Sequence, residues 1–340
     1  MIAFYNKIKG NLNHIIITII LVVFTVMSLT GTIGRSDTVL LEKIAIAIIL
    51  ATSLGMVVGF LGELSLGHAG FMCIGAYIGG KVSAILETSL GNGFVTLLIA
   101  LVVGGLCAAV FGMIIGLPAL RLRGDYLAIV TLAFGEIVRT VVMNLPEGLF
   151  GGTLGLKTPR FNNKYLFIVA FILVLLCIAT TQNLLRSKHG RAISSIRDNE
   201  IAARAMGIDV TKYKLLVFTI SAFFAGIAGV LYSYTQSRVQ SASFGYNYSI
   251  EILVMVVLGG LGSINGSIIA ATLITFLDVK LQTQLTGDLA VLQNLVYAVI
   301  LILIVIYNNA PALKTFREKN NVKSLIARIK AKKKSKKEDA

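Results

Sequence analysis

The sequence predicts an all-α polytopic membrane protein with about ten transmembrane segments, some of them broken or re-entrant. Three observations predict it. Of the 340 residues, 56% are hydrophobic and 14% are charged, where a soluble domain carries about 25% charged residues. Apolar runs of the roughly 20 residues needed to cross a bilayer recur along the chain, and mean hydropathy is +0.84. The 33 glycines suit close helix packing and helix breaks inside lipid. Short segments of alternating polarity, which barrel strands would need, are not seen.

Taken in order, the candidate crossings are 15–33, 39–60, 64–86, 94–117, 125–145, 165–185, 215–236, 249–262, 266–281 and 289–309. The first follows Lys7 and Lys9 as a signal peptide would, but without a small-x-small cleavage site it reads as an uncleaved anchor. The eighth and ninth are short and separated by "GGLGSING", so 249–281 is a tight spanning hairpin or a re-entrant pair. With the N-terminus inside, 22 basic residues fall on inner segments and 7 on outer ones, a bias that puts both termini in the cytoplasm. Merging the eighth and ninth crossings would put the basic tail outside, which the same rule disfavours.

The transmembrane domain is thus expected over 1–313, with its longest inner loop at 186–214, followed by a basic, disordered cytoplasmic tail over 314–340. The tail holds eleven Lys/Arg against three Asp/Glu, out of a formal net charge of +15. Such a run suits nucleic acid or anionic lipid. Beside so many membrane segments the lipid surface is the favoured partner, and no nucleic acid is expected.

Several chemistries are disfavoured. Cys73, Cys107 and Cys177 lie in apolar stretches without a CxxC or Cys/His spacing, and His14, His68 and His189 are scattered. No metal site, disulfide framework or catalytic residue is expected. No GxxxxGK[ST] occurs, so ATP binding through a P-loop in this chain is not expected.

The loop 186–214 breaks the apolar pattern with "SSIRDNEIAARAMGID", residues 194–209. Ser195 before Asp198 has a capping spacing, Ala202, Ala203 and Ala205 favour helix, and Gly207 is a natural terminator. One or two short helices are expected there on the cytoplasmic side. Small alanines among mixed charges suit either a solvated loop helix or one that docks in a groove of another protein.

"AARAMG" is similar to the core of the EAA loop of ABC-importer permeases. The longer run "GRAISSIRDNEIAARAMGIDVTKYKLLVFTISAFFAGIAGVLYS", with "GELSLGHAGFMCIGAY" (62–77) and "LRLRGDYLAIVTLAFGEIVR" (120–139), resembles LivM-type permeases of branched-chain amino acid ABC importers. The resemblance runs from about 40 to 307. Two features depart from the general EAA motif: Ile201 stands where its glutamate is expected, with Glu200 one position earlier, and the downstream Leu-Pro is absent. The resemblance implies that 194–209 is a cytoplasmic coupling helix seated on an ATPase, with Glu200, Ala202, Ala203, Arg204 and Gly207 as the contacts. It also implies a sister permease subunit, two cytoplasmic ATP-binding subunits that bind ATP and Mg, and an external substrate-binding protein. No cofactor is implied in this chain.

Two stretches could line a path. Glu63, Ser65 and His68 alternate with Gly62, Gly67 and Gly70, a mixture that suits a broken helix beside a cavity or a short turn between crossings. Thr131, Glu136 and Arg139 lie in an apolar run, and Glu136 and Arg139 share a helix face, so they pair for structure or line the path. A charge at bilayer centre costs about 2.5–3.5 kcal/mol on insertion scales, so both should face the bundle interior. Glu251 suits the outer interface. The glycine-rich loop 144–159 is expected outside, as a flexible connection, an outer gate or a contact for the binding protein.

The expected function is that of a permease subunit in a bacterial plasma (inner) membrane, contributing half of an alternating-access path for leucine, isoleucine or valine. It is a transport subunit and not an enzyme. Urea, short amides, simple sugars or nucleosides are the alternative cargo, and an ion-coupled secondary transporter or a membrane scaffold are the competing classes.

Overall fold

The computed structural model describes residues 34–284 apart from 92, 123, 160–165 and 237, together with positions 296, 298, 299, 302 and 306, which are helical. The expected crossing at 15–33, most of that at 289–309 and the tail 314–340 lie outside the described residues. The chain divides into two compact units, residues 1–279 and 280–340. The core and the site lie in the first.

The long helices are α1 (Arg35–Gly55, continued by a π-helix over Met56–Leu61), α2 (His68–Leu90), α3 (Phe94–Ala119) and α4 (Asp125–Asn144). A short α5 (Glu147–Phe150) precedes α6 (Leu166–Arg186), and α7 (Lys188–Asp198) and α8 (Glu200–Ala205) precede α9 (Val210–Thr235). The last two are α10 (Tyr246–Gly259) and α11 (Ile264–Gln284). Among the described residues seven helices are long and apolar enough to cross a membrane: α1 with its π-helix, α2, α3, α4, α6, α9 and α11. The protein is an all-α, multi-pass membrane protein. The eighth expected crossing is the shorter α10, about 21 Å at 1.5 Å per residue, so its apolar run covers part of a bilayer's depth.

The core forms where α9 lies against α2 and α3. Glycine lets the backbones meet: a Cβ on Gly75 would sit 2.1 Å from the Gly226 carbonyl oxygen, and one on Gly229 would sit 2.0 Å from that of Met72. With no hydrophobic drive between helices in lipid, such close packing supplies association. The "GGLGSING" stretch is a tight turn between α10 and α11, with Gly260 at φ +92° and Gly262 at φ +80°, and Gly59 touches Gly262 at the end of the π-helix.

At the opposite end of the bundle, β1 (Leu156–Lys157) pairs antiparallel with β2 (Arg238–Val239), Leu156 opposite Val239. Thr158 Oγ1 donates to the Ser233 carbonyl at 2.7 Å, and Tyr77 OH to that of Val239 at 3.1 Å. The loop 144–159 is therefore folded down onto α2 and α9.

The polar insert forms two helices. Ser187 caps α7, accepting from the His189 and Gly190 amides, and Asn199 caps α8, accepting from that of Ala202. Ser195, expected as a cap, lies inside α7 and donates to the Ala192 carbonyl at 2.8 Å. Burial of Gly190, Ile193 and Ile196 along one stripe carries the helix past it. Gly207, at φ +81°, closes α8: its amide donates to Arg204 O and the Ile208 amide to Ala203 O, the paired bonds of a glycine helix terminus.

Candidate functional site

The site grows from the interruption after α1. The π-helix stops at Gly62 (φ +82°), the Glu63 amide donates back to Val57 O, and 62–67 is not helical before α2 begins at His68. The segment is covered by protein: Ser65, Gly67 and His68 are buried. Residues 62–67 form a short non-helical link between two candidate crossings, α1 with its π-helix and α2. The break is held from several sides. The Leu66 amide donates to Thr131 Oγ1 at 3.0 Å, and the Ala69 amide to Ser249 Oγ at 3.1 Å. His68 Nε2 and Ser53 Oγ share a hydrogen bond of 2.8 Å, and Ser221 Oγ donates to Ser53 O at 2.7 Å. A Cβ on Gly67 would sit 2.7 Å from Thr131 O and one on Gly70 would sit 2.7 Å from Gly135 Cα, so α4 closes directly over the segment. Ser65 Oγ is buried and has no hydrogen-bond partner among the described residues.

The near end of the break meets the polar helices. Lys214, in the second turn of α9 and 2% exposed, donates through Nζ to Glu63 Oε1 and to Glu200 Oε2, the latter at 3.2 Å. Glu200 Oε1 accepts from Arg204 Nη2 at 2.9 Å. Four charges thus alternate in sign from the break to the surface of α8, which keeps a buried ammonium paired. Arg197 of α7 pairs with Asp198 at 3.1 Å and lies so close to Gly62 that a Cβ there would meet its Cγ at 3.0 Å.

Sites read separately in the sequence are therefore joined: Glu63, from the candidate path, reaches Glu200 and Arg204, from the candidate coupling helix, through Lys214. Ser65, His68 and Thr131 gather at the break. Glu136 and Arg139 sit farther along α4, with Arg139 Nε donating to Glu136 Oε2 at 2.8 Å and the Tyr246 amide donating to Glu136 Oε1 at 2.8 Å. An acid at that helix start is favoured by the macrodipole.

On α8, Ala202, Arg204 and Gly207 are exposed, whereas Ala203 is buried against the protein itself. Ile201 and Met206 are 73% and 82% exposed, bare apolar side chains on an otherwise polar element. Sequence reasoning passed over Lys214, Arg197, Ile201 and Met206. Lys214 had a signal, since Val210, Lys214, Val217, Phe218 and Ser221 fall at helical spacing on one buried stripe.

Cavities flank the bundle among the described residues. One of about 280 Å³ at the opposite end is lined by Arg35, Glu42, Lys43 and Gln236 among others. Another, an apolar groove of about 560 Å³, lies between α2, α3 and α4 and includes Ile74, Phe111, Ile114 and Ile137. Among the described residues no three His, Cys, Asp or Glu side chains come together as metal ligands would. The polar groups at the break are paired charges and hydrogen-bonded backbone amides.

Residues 37–306 match the family model described as the permease component of branched-chain amino acid transport systems. The chain is 38% identical over 273 residues to the high-affinity branched-chain amino acid transport system permease protein LivM of Salmonella typhimurium, covering 71% of this chain and 63% of that protein. It is 40% identical over 260 residues to the LivM protein of Escherichia coli, covering 67% of this chain and 60% of that protein. The chain thus spans about three fifths of the length of these relatives. A shorter similarity, 31% over 145 residues, is to the ribose import permease protein RbsC of Escherichia coli, covering 41% of this chain and 44% of that protein. No solved structure matches.

Proposed function

The chain belongs to the permease-component family of branched-chain amino acid transport systems, and from that premise we propose that it is one membrane subunit of a binding-protein-dependent ABC importer for leucine, isoleucine and valine. Its partners are a sister permease, two cytoplasmic subunits that bind ATP and Mg, and an external substrate-binding protein. The membrane is the bacterial plasma (inner) membrane, with both termini in the cytoplasm. The chain breaks no bond in its cargo. It forms half of an alternating-access path, with Glu63, Ser65, His68, Thr131, Glu136 and Arg139 near or along it, and α8 is the coupling helix.

One observation carries this reading. A short polar element stands between spanning helices, anchored inward by buried charges and presenting Ile201 and Met206 to the outside. Exposed apolar side chains on an aqueous element mark a contact surface. Ala202, Arg204 and Gly207 belong to the same outer face, while Glu200 and Ala203 support it from within. The lining of the apolar groove suits a branched aliphatic side chain, and polar groups at the break suit an ammonium or carboxylate in passage. The test is uptake of labelled leucine, isoleucine and valine by proteoliposomes holding the chain with its partner set and ATP on the ATPase side. ATP-dependent uptake that persists when ion gradients are collapsed is the expected result. Transport of ribose or urea without these amino acids would reassign the cargo, and collapse with the gradient would reassign the class.

A further inference from the structure

We propose that the Lys214–Glu200 contact is a latch between α8 and the bundle, made in one transport state and broken in another, with Lys214 as the residue that positions the helix break at 62–67. The proposal rests on the importer reading above and names the joint through which that coupling would pass. The charges run Glu63, Lys214, Glu200, Arg204. Opening the middle link leaves two neutral pairs, Glu63 with Lys214 and Glu200 with Arg204, so no charge is stranded in either arrangement. A switch of this kind needs two arrangements close in free energy, and an alternating chain of four supplies them where a lone buried pair would not.

The position of the link fits the role. Lys214 is buried, while the Glu200 side chain keeps 22% of its surface exposed at the 3.2 Å contact. Glu200 sits on a helix of six residues bounded by Asn199 and Gly207, which can move as a unit. On the other side, 62–67 has no helical ladder of its own, so its place is set by its attachments: Arg197 against Gly62, Lys214 on Glu63, Thr131 on the Leu66 amide and Ser53 on His68. Release of Glu200 frees α8 from the first of two bonded steps, Lys214 to Glu63 and Leu66 to Thr131, that end on α4. Ser65 Oγ, buried in the midst of that segment with no hydrogen-bond partner among the described residues, is a group that a shifted arrangement can satisfy.

The experiment uses the complete importer in proteoliposomes and reads leucine taken up per ATP hydrolysed, with membrane yield and thermal stability measured alongside. Lys214→Met is expected to lower uptake per ATP at least tenfold, and Lys214→Arg, which still reaches both acids, to stay within about threefold of wild type. Because Lys214→Met strands Glu63, the double variant Glu63→Gln/Lys214→Met is measured too: the neutral pair should regain yield and stability while the ratio stays low. A normal ratio in Lys214→Met or in the double variant overturns the latch, as does a ratio that recovers in step with yield, which marks a purely structural lysine. If the wild-type chain takes up no leucine, isoleucine or valine, the importer reading itself fails and the latch falls with it. Wild-type uptake with unaffected variants removes the latch alone.

Discussion

Glu136 serves two partners at once, the Arg139 guanidinium and the Tyr246 amide, and its loss should therefore exceed that of Arg139. Glu136→Ala strands a positive charge and an amide at the start of α10. The contact to the Tyr246 amide is exposed and the two side chains are partly exposed, so the hydrogen bond's share is about 0.5–1.5 kcal/mol. Arg139→Ala leaves the carboxylate its amide partner. The double variant should recover the arginine's share and retain the amide's. Thermal unfolding in detergent ranks the three, and equal losses from both single variants would contradict this assignment. Uptake read beside it separates packing from passage, since a path-lining pair leaves the double variant stable and inactive. Glycines divide in the same physical way. Gly229→Ala drives a methyl into the Met72 carbonyl, 2.0 Å away, and should abolish folded protein in the membrane. Gly207→Ala meets nothing within 4 Å and bears only the left-handed backbone, about 1–2 kcal/mol. Yields that reverse this order would be incompatible with the packing described.

At the scale of the element, α8 exposes Ala202 and Ala205 and buries Ala203. Ala203 is turned inward, so Ala203→Arg probes folding. Ile201→Glu and Met206→Glu probe the outer face, and each should keep normal membrane yield while reducing co-purification of the ATP-binding subunits at least fivefold. Full retention of those subunits by both variants would remove α8 as their seat. The polar insert was legible because charged residues interrupt two apolar runs, and Gly207 was legible because a left-handed terminus favours glycine. The start of α7 was not. Ser187, Ser195 and Asn199 share the chemistry of a cap, and what excludes Ser195 is the stripe Gly190, Ile193 and Ile196, a tertiary fact. Lys214 escaped for a related reason: a lysine on an apolar stripe reads as a boundary until the fold brings Glu63 to it from 151 residues away. The shortness of α10 was legible in the apolar run 249–262, and the helix starts three residues earlier, where the Tyr246 amide donates to Glu136.

For the whole molecule, the proposed orientation rests on where the basic residues fall relative to the two ends of the bundle. The break at 62–67, the helices α7 and α8 and the turn after α10 are in mutual contact at one end, where Arg197 lies against Gly62 and its Nη1 is 3.9 Å from a Cβ placed on Gly262. The β1–β2 pair, the folded loop 144–159 and the cavity beside Arg35 and Gln236 gather at the other. The bundle order carries α1, α3 and α6 toward the first end and α2, α4 and α9 away from it. Segment 186–214 alone holds seven basic residues, so under the proposed topology the positive-inside rule favours a cytoplasmic first end. The turn after α10 then lies inside as well, and α11 leads outward. A cytoplasmic tail, as proposed, needs one further crossing after α11, for which the sequence offers the apolar run 289–309. Single cysteines in a variant lacking Cys73, Cys107 and Cys177 test the arrangement in intact cells. A membrane-impermeant maleimide should label Thr153→Cys from outside and should label Ser194→Cys and Ser335→Cys only after permeabilisation. External labelling at Ser194 would invert the bundle and place α8 where no ATPase can reach it. External labelling at Ser335 with Ser194 protected would leave the bundle as described and delete the crossing at 289–309.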